Sequence, residues 1–184
     1  MKHILLPALR LLLMMTLLTG VIYPAAVTWA AHWLCPETAR GSLVYRDHQV
    51  VGSALLAQNF QSPRYFRSRP SASEWGTLPS GAGNLGPASG KLREQIEERA
   101  AVWSEGSDLF VPSDLLAASA SGLDPHITQD AARFQVERVA QSRHLPVAAV
   151  EEILQKHIKD NPLGVPYVNV LLVNLELDQI HCTP

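Results

Sequence analysis

Ser119, Ser121, Asp124 and His126 lie within ten residues of one another, in the stretch SASGLDPHIT. A hydroxyl, an acid and an imidazole are the parts of a serine hydrolase, in which a base takes the proton of the nucleophile and a carboxylate orients the base. A catalytic set of this kind is assembled by the fold, however, and neighbours in sequence need not meet in that geometry. No strand with a G-x-S-x-G elbow surrounds Ser121. The same residues make a well-formed turn. Gly122 can take a positive φ, Asp124-Pro125 is a turn pair, and Thr128 can cap a following helix with Asp130 in its first turn. The expectation is a structural joint with Ser119, Ser121, Asp124 and His126 available for recognition. The alternative is a membrane-anchored hydrolase using Ser121 and His126.

Other chemistry is thinner still. The seven histidines are scattered, without an i, i+4 pair or an acidic ligand at suitable spacing, so no metal is expected. Neither a P-loop nor a G-x-G-x-x-G motif is present, and the glycines at 81, 83 and 86 suit a loop that needs positive φ. No tightly bound cofactor is expected. The segment PRYFRSRPSA carries Arg64, Arg67 and Arg69 with Tyr65 and Phe66, a mixture enriched at protein interfaces. An arginine-buttressed loop packed on its own domain is the equal alternative. Cys35 and Cys182 are expected as two free thiols, with a bridge as the alternative.

These residues need elements to position them. Residues 11–31 are free of charge, and 21 helical residues span about 30 Å, one bilayer core. This is longer than the apolar region of a signal peptide, so a retained transmembrane helix is expected. Residues 1–10 then form a short cytoplasmic tail holding Lys2 and Arg10, and residues 33–184 an extracytoplasmic domain. Of 15 basic residues those two precede the span, and the rest against 17 acidic ones leave the domain at about −4, which excludes a nucleic-acid partner.

Within the domain, residues 42–46 and 49–56 read as a hairpin about Asp47-His48, and residues 61–90 as a long loop rich in Pro, Gly and Ser. Helices are expected over 91–103, capped by Ser89, over 129–143, and from Pro146 with Val147, Val150, Ile153, Leu154 and Ile158 inward. Residues 167–177 are apolar on both parities and read as a strand covered on both faces. The fold class is α/β (α+β), a soluble domain tethered by one N-terminal transmembrane helix.

In order along the chain, GVIYPA, GSALLAQNF, YFRSRPSA, GNLGP, VPSDLLAASASGLDPHIT, QVERVA and VNVLLVNLELD closely resemble the C subunit of the Kdp-type potassium-transporting P-type ATPase. They run from Gly20 to Asp178, with Ala57 and Ala82 as small departures from the family's glycine and serine. The resemblance implies a non-catalytic subunit of a high-affinity potassium uptake pump in the bacterial inner membrane, periplasmic beyond its single span. The implied partners are the channel-like potassium-binding subunit, the ATP-hydrolysing P-type subunit and a small membrane peptide. It also implies a role in assembly and as a catalytic chaperone that raises the ATP affinity of the hydrolysing subunit, with Gln58 contacting nucleotide. That last implication conflicts with the expected topology: ATP is cytoplasmic, and no side chain reaches across about 30 Å of hydrocarbon. Assembly and covering of the outer potassium entrance fit an external domain better.

Overall fold

A helix apolar on all sides belongs in a protein core or a bilayer, and Ile4–Leu34 forms one unburied helical run of a length and composition that suit a membrane crossing. In the computed structural model, which describes residues 2–104 and 110–180, this run comprises α1 (Lys2–Leu17), a π turn (Leu18–Ile22) and α2 (Tyr23–Leu34). The helix therefore begins inside the segment expected as a tail. Pro24 explains the π turn: it has no N–H for the carbonyl of Gly20, and its ring crowds that carbonyl. The helix widens just before it, closed by the Tyr23 N–H donating to the Leu18 carbonyl. A short α3 (Pro36–Ala39) follows. Cys35 is exposed; Cys182, and with it the pairing of the two cysteines, lies outside the described residues.

The hairpin forms as its sequence suggests. β1 (Leu43–Arg46) pairs antiparallel with β2 (Gln49–Ser53), and both turn residues, Asp47 and His48, have positive φ (49° and 63°). A two-residue turn of that hand matches the twist of the flanking strands. Residues 1–53 form one compact unit and residues 54–184 a second.

The second unit opens with a long loop over residues 54–89 that contains no helix or strand. Its regular elements are α4 (Gly90–Trp103), α5 (Ser113–Leu116), β3 (His126–Thr128), α6 (Gln129–Arg143), α7 (Val147–His157), β4 (Ile158–Lys159), β5 (Tyr167–Asn169) and α8 (Val170–Ile180). Strand β5 lies between β3 and β4, antiparallel to both, with Val168 opposite Ile127 on one side and Ile158 on the other. Helices α6, α7 and α8 all contact β5. The core lies there, built from Ile127, Val139, Val150, Leu154, Val168 and Leu177, with Phe66 of the long loop inserted into it.

Three local expectations are corrected. Residues 167–177 are a strand only to Asn169 and then a helix. Asn169 caps that helix by accepting the N–H of Leu172 at 3.2 Å, and Val170, Leu171, Val173, Asn174 and Leu177 form its buried stripe. Ser89 occupies the cap position of α4 without a side-chain hydrogen bond. Ile158 leaves the stripe of α7 for β4, and Val147 is largely exposed. Thr128 does cap α6, accepting the Ala131 N–H at 3.3 Å, and His144 closes that helix in the left-handed region at φ 57°.

Candidate functional site

Two buried amide side chains hold the arginine–aromatic loop. Asn174 on α8 accepts the Phe66 N–H at 2.8 Å and donates to the Phe66 carbonyl at 2.9 Å. Gln135 on α6 does the same for the next residue, accepting the Arg67 N–H at 2.8 Å and donating to its carbonyl at 3.1 Å. Each amide takes the place of a neighbouring strand, satisfying donor and acceptor of an irregular backbone that is buried at Phe66 and partly covered at Arg67. Arg138 donates to the carbonyls of Pro63 and Tyr65, and Arg143 to those of Arg64 and Leu177. Arg143, almost fully buried, also pairs with Asp178 at 2.8 Å, and Asp178 accepts the Tyr65 hydroxyl at 3.1 Å.

The five loop residues singled out by sequence therefore have different settings. Arg64 is exposed, and Tyr65, Arg67 and Arg69 are partly covered. Phe66 is fully buried, which removes it from any surface and makes it a core residue. The arginine-buttressed alternative describes the local packing, with α6 supplying the buttress. Arg138, Arg143, Gln135 and Asn174 were not anticipated; a polar residue on the inward stripe of each helix is the signal that marks them.

A second node joins the long loop to the turn before β3. Ala57 donates to the Leu123 carbonyl at 2.9 Å and Ser119 to the Pro70 carbonyl at 2.9 Å. Gly122 has φ +73°, and a Cβ there would stand 2.6 Å from Oγ of Ser73 and 3.0 Å from the carbonyl of Gly81. At the rim, Asp124 accepts the His126 N–H at 3.0 Å, lies 3.4 Å from its Nδ1, and pairs with Arg69 at 3.8 Å. His126 packs edge-on against Tyr167, and its Nε2 lies 3.4 Å from Nδ2 of Asn169. The hydrogen bond with His126, aided by Arg69, holds the Asp124 carboxyl below the ordinary carboxylate range, although burial opposes it.

An acid–imidazole pair thus exists, but among the described residues neither Ser119 nor Ser121 presents its hydroxyl to it as a nucleophile. Ser121 hydrogen-bonds to Ser119 at 3.2 Å and accepts the Leu123 N–H at 3.1 Å. Ser119 is buried, contrary to its place among surface candidates, and its Oγ accepts the Asp124 N–H at 3.4 Å. Both hydroxyls are engaged in closing the turn. Gln58 is half-buried, and its carbonyl accepts the Ser68 hydroxyl at 3.4 Å. Among the described residues no group of three or more His, Cys, Asp or Glu side chains is placed to hold a metal ion.

Comparison with known proteins agrees with the sequence motifs. The profile of the KdpC family, K+-transporting ATPase, c chain, matches residues 5–179. Proteins described as potassium-transporting ATPase KdpC subunit from Cereibacter sphaeroides (strain KD131) and Pseudomonas putida (strain GB-1) are 46% and 45% identical over 175 residues. The alignments cover 94% and 95% of this chain and 95% and 96% of those proteins. One from Acidobacterium capsulatum is 47% identical over 167 residues, covering 88% of this chain and 90% of the relative. The chain belongs to the KdpC family, the c subunits of potassium-transporting ATPases.

Proposed function

We propose that this chain is a non-catalytic accessory subunit of an ATP-driven, high-affinity potassium uptake complex. On this reading the helical run within Ile4–Leu34 anchors it in the bacterial inner membrane and the domain that follows it lies on the outer face. There they support assembly with the potassium-binding and ATP-hydrolysing subunits and the small membrane peptide, and cover the outer potassium entrance. The observation that supports it best is the use of polar side chains around Ser119–His126 and Phe66–Arg67. They hold loop backbone in one shape, and neither serine hydroxyl bonds to the Asp124 carboxylate or the His126 ring. Such a surface suits docking. A change in the ATP affinity of the hydrolysing subunit would then be indirect, because a contact that differs between two states of a pump shifts their equilibrium. Direct contact of Gln58 with cytoplasmic ATP has no place in this arrangement.

Topology is the test. In a background with Cys35→Ser and Cys182→Ser, Leu163→Cys puts a single thiol at a fully solvent-facing position of the domain. Labelling of intact spheroplasts by a membrane-impermeant maleimide is the expected result. Labelling only after lysis would place the domain inside and restore direct ATP contact. Ser121→Ala should leave growth at limiting potassium unchanged, whereas loss of growth with an intact fold would favour the hydrolase.

A further inference from the structure

Two guanidinium groups stand over one tryptophan of the second unit, and a third arginine lines the cleft beside it. Arg67 and Arg138 stand 5.4 and 5.3 Å from the ring centroid of Trp103, and Arg99 lies four residues earlier on the same helix, α4. Elsewhere the domain matches buried or half-buried arginines with acids, as in Arg143–Asp178 and Arg69–Asp124. Here it does not. Among the described residues, the hydrogen bonds of Arg67, Arg99 and Arg138 go only to the carbonyls of Gln61, Leu116, Pro63 and Tyr65 and to the amide oxygens of Gln95 and Gln135. The cost is visible in Arg138, whose pKa is lowered to about 10 by burial and by the charge of Arg67. In a domain of negative balance, this is a local concentration of positive charge that no acid among the described residues pairs with.

Beside it is a cleft of about 270 Å³ between the long loop and α4, walled by Phe60, Arg67, Trp75, Arg99, Val102 and Trp103. Trp75 is fixed by donating from Nε1 to the Ser68 hydroxyl at 3.2 Å. Helix α4 buries none of its residues in this chain, and Val102 at the cleft is 60% exposed. Tryptophan and arginine around a preformed hollow are the residue types that carry most of the energy at protein interfaces. A carboxylate would supply the missing counter-charge, and an apolar neighbour would cover the ring faces.

We infer that this cleft docks an acidic segment of another subunit of the same ATPase, an Asp or Glu received by Arg67 and Arg99 with an adjoining apolar side chain against Trp103 and Val102. This rests on the reading of the chain as a complex-forming subunit and names the chemistry of what it binds. Arg138 then serves from behind, fixing the loop and adding field without direct contact.

The full-length chain, co-expressed with the other subunits and carrying the photo-crosslinker p-benzoylphenylalanine in Val102→p-benzoylphenylalanine, tests it in native membranes. Irradiation should join it to another subunit at a peptide holding Asp or Glu within about three residues of the joined position. Arg67→Gln with Arg99→Gln should lower that yield at least about tenfold, because two charge-assisted bonds are lost. Thermal melting of the purified variant checks its fold. Were it to unfold, the identity of the peptide joined in the arginine-intact chain alone decides. Crosslinking to lipid, to a second copy of this chain, or to a peptide without an acid overturns the inference. So does an intact complex that gives no crosslink, or one whose yield ignores the arginine changes in a folded variant. If the unsubstituted chain fails to co-purify with the other subunits at all, the subunit reading itself has failed, and that outcome is separately visible.

Discussion

Gly122 has two independent reasons to be glycine. Its φ of +73° lies where side chains are strained, and the space a methyl would need is held by the Ser73 hydroxyl and the backbone of Gly81. Gly122→Ala should therefore destabilise the domain by about 1–3 kcal/mol, read as a lower midpoint in urea. A change below about 0.5 kcal/mol would mean that the loops around it yield freely. Asp124, in the same turn, gives up its proton more readily in the folded protein than in the unfolded chain, chiefly through His126. Its stabilisation is present above the ordinary value of 3.8 and is lost as pH falls through the lower folded value. Asp124→Asn should accordingly lower the melting temperature near neutral pH by a few degrees, on the order of 1 kcal/mol for a half-exposed pair. The gap between variant and parent should narrow as the pH drops below 3.8 and through the lower folded value. A gap that stayed constant with pH would assign the loss to packing. The turn residues of this node were legible in sequence because their conformational demands are local. The pairing of Arg69 with Asp124 was not, since tertiary packing brings them together.

Among the elements, α8 shows where sequence reading fails and why. In VNVLLVNLELD apolar residues occupy both parities, so a strand buried on two faces and a helix buried on one fit equally over a short window. The deciding features are the two asparagines. Asn169 caps, and Asn174 falls on the buried stripe one turn later, where an unpaired amide would be costly unless something irregular lay opposite. That something is Phe66. Asn174→Leu keeps the branched shape but strands the N–H and carbonyl of Phe66 without water. It should cost about 2–4 kcal/mol and increase proteolytic cleavage of the long loop near Tyr65. If the melting temperature fell while loop protection was unchanged, the amide would not be what holds the loop. Helices α6 and α7 were readable because a one-sided 3.6-residue period admits no strand alternative, and α6 carries its cap as well. Helix α4 was readable too, yet its stripe of Leu92, Ile96, Ala100 and Trp103 is only half-covered.

At the scale of the whole molecule, every fully buried apolar side chain among the described residues falls between Ala57 and Leu177. The unit from residue 54 onward thus contains a complete core, whereas residues 1–53 contribute a helix with nothing buried and a hairpin. A chain of roughly 130 residues buries about two thirds of its surface on folding and needs no external support. Residues 54–184 expressed without the helix and hairpin should therefore be a soluble monomer with one cooperative melting transition. Its midpoint should lie within a few degrees of that of residues 33–184, because every fully buried apolar side chain among the described residues belongs to it. Aggregation, or a broad transition with exposed apolar surface that binds a hydrophobic dye, would show that the hairpin supplies part of the core. The same fragment separates anchoring from docking. An interface made by the Trp103 cleft and the Arg69–Asp124 rim travels with the fragment. Added in excess to membranes that lack the full chain, it should still bind the other subunits, only more weakly, because the helix no longer holds it at high local concentration. Binding that vanished entirely, with the fold intact, would locate the recognition in residues 1–53.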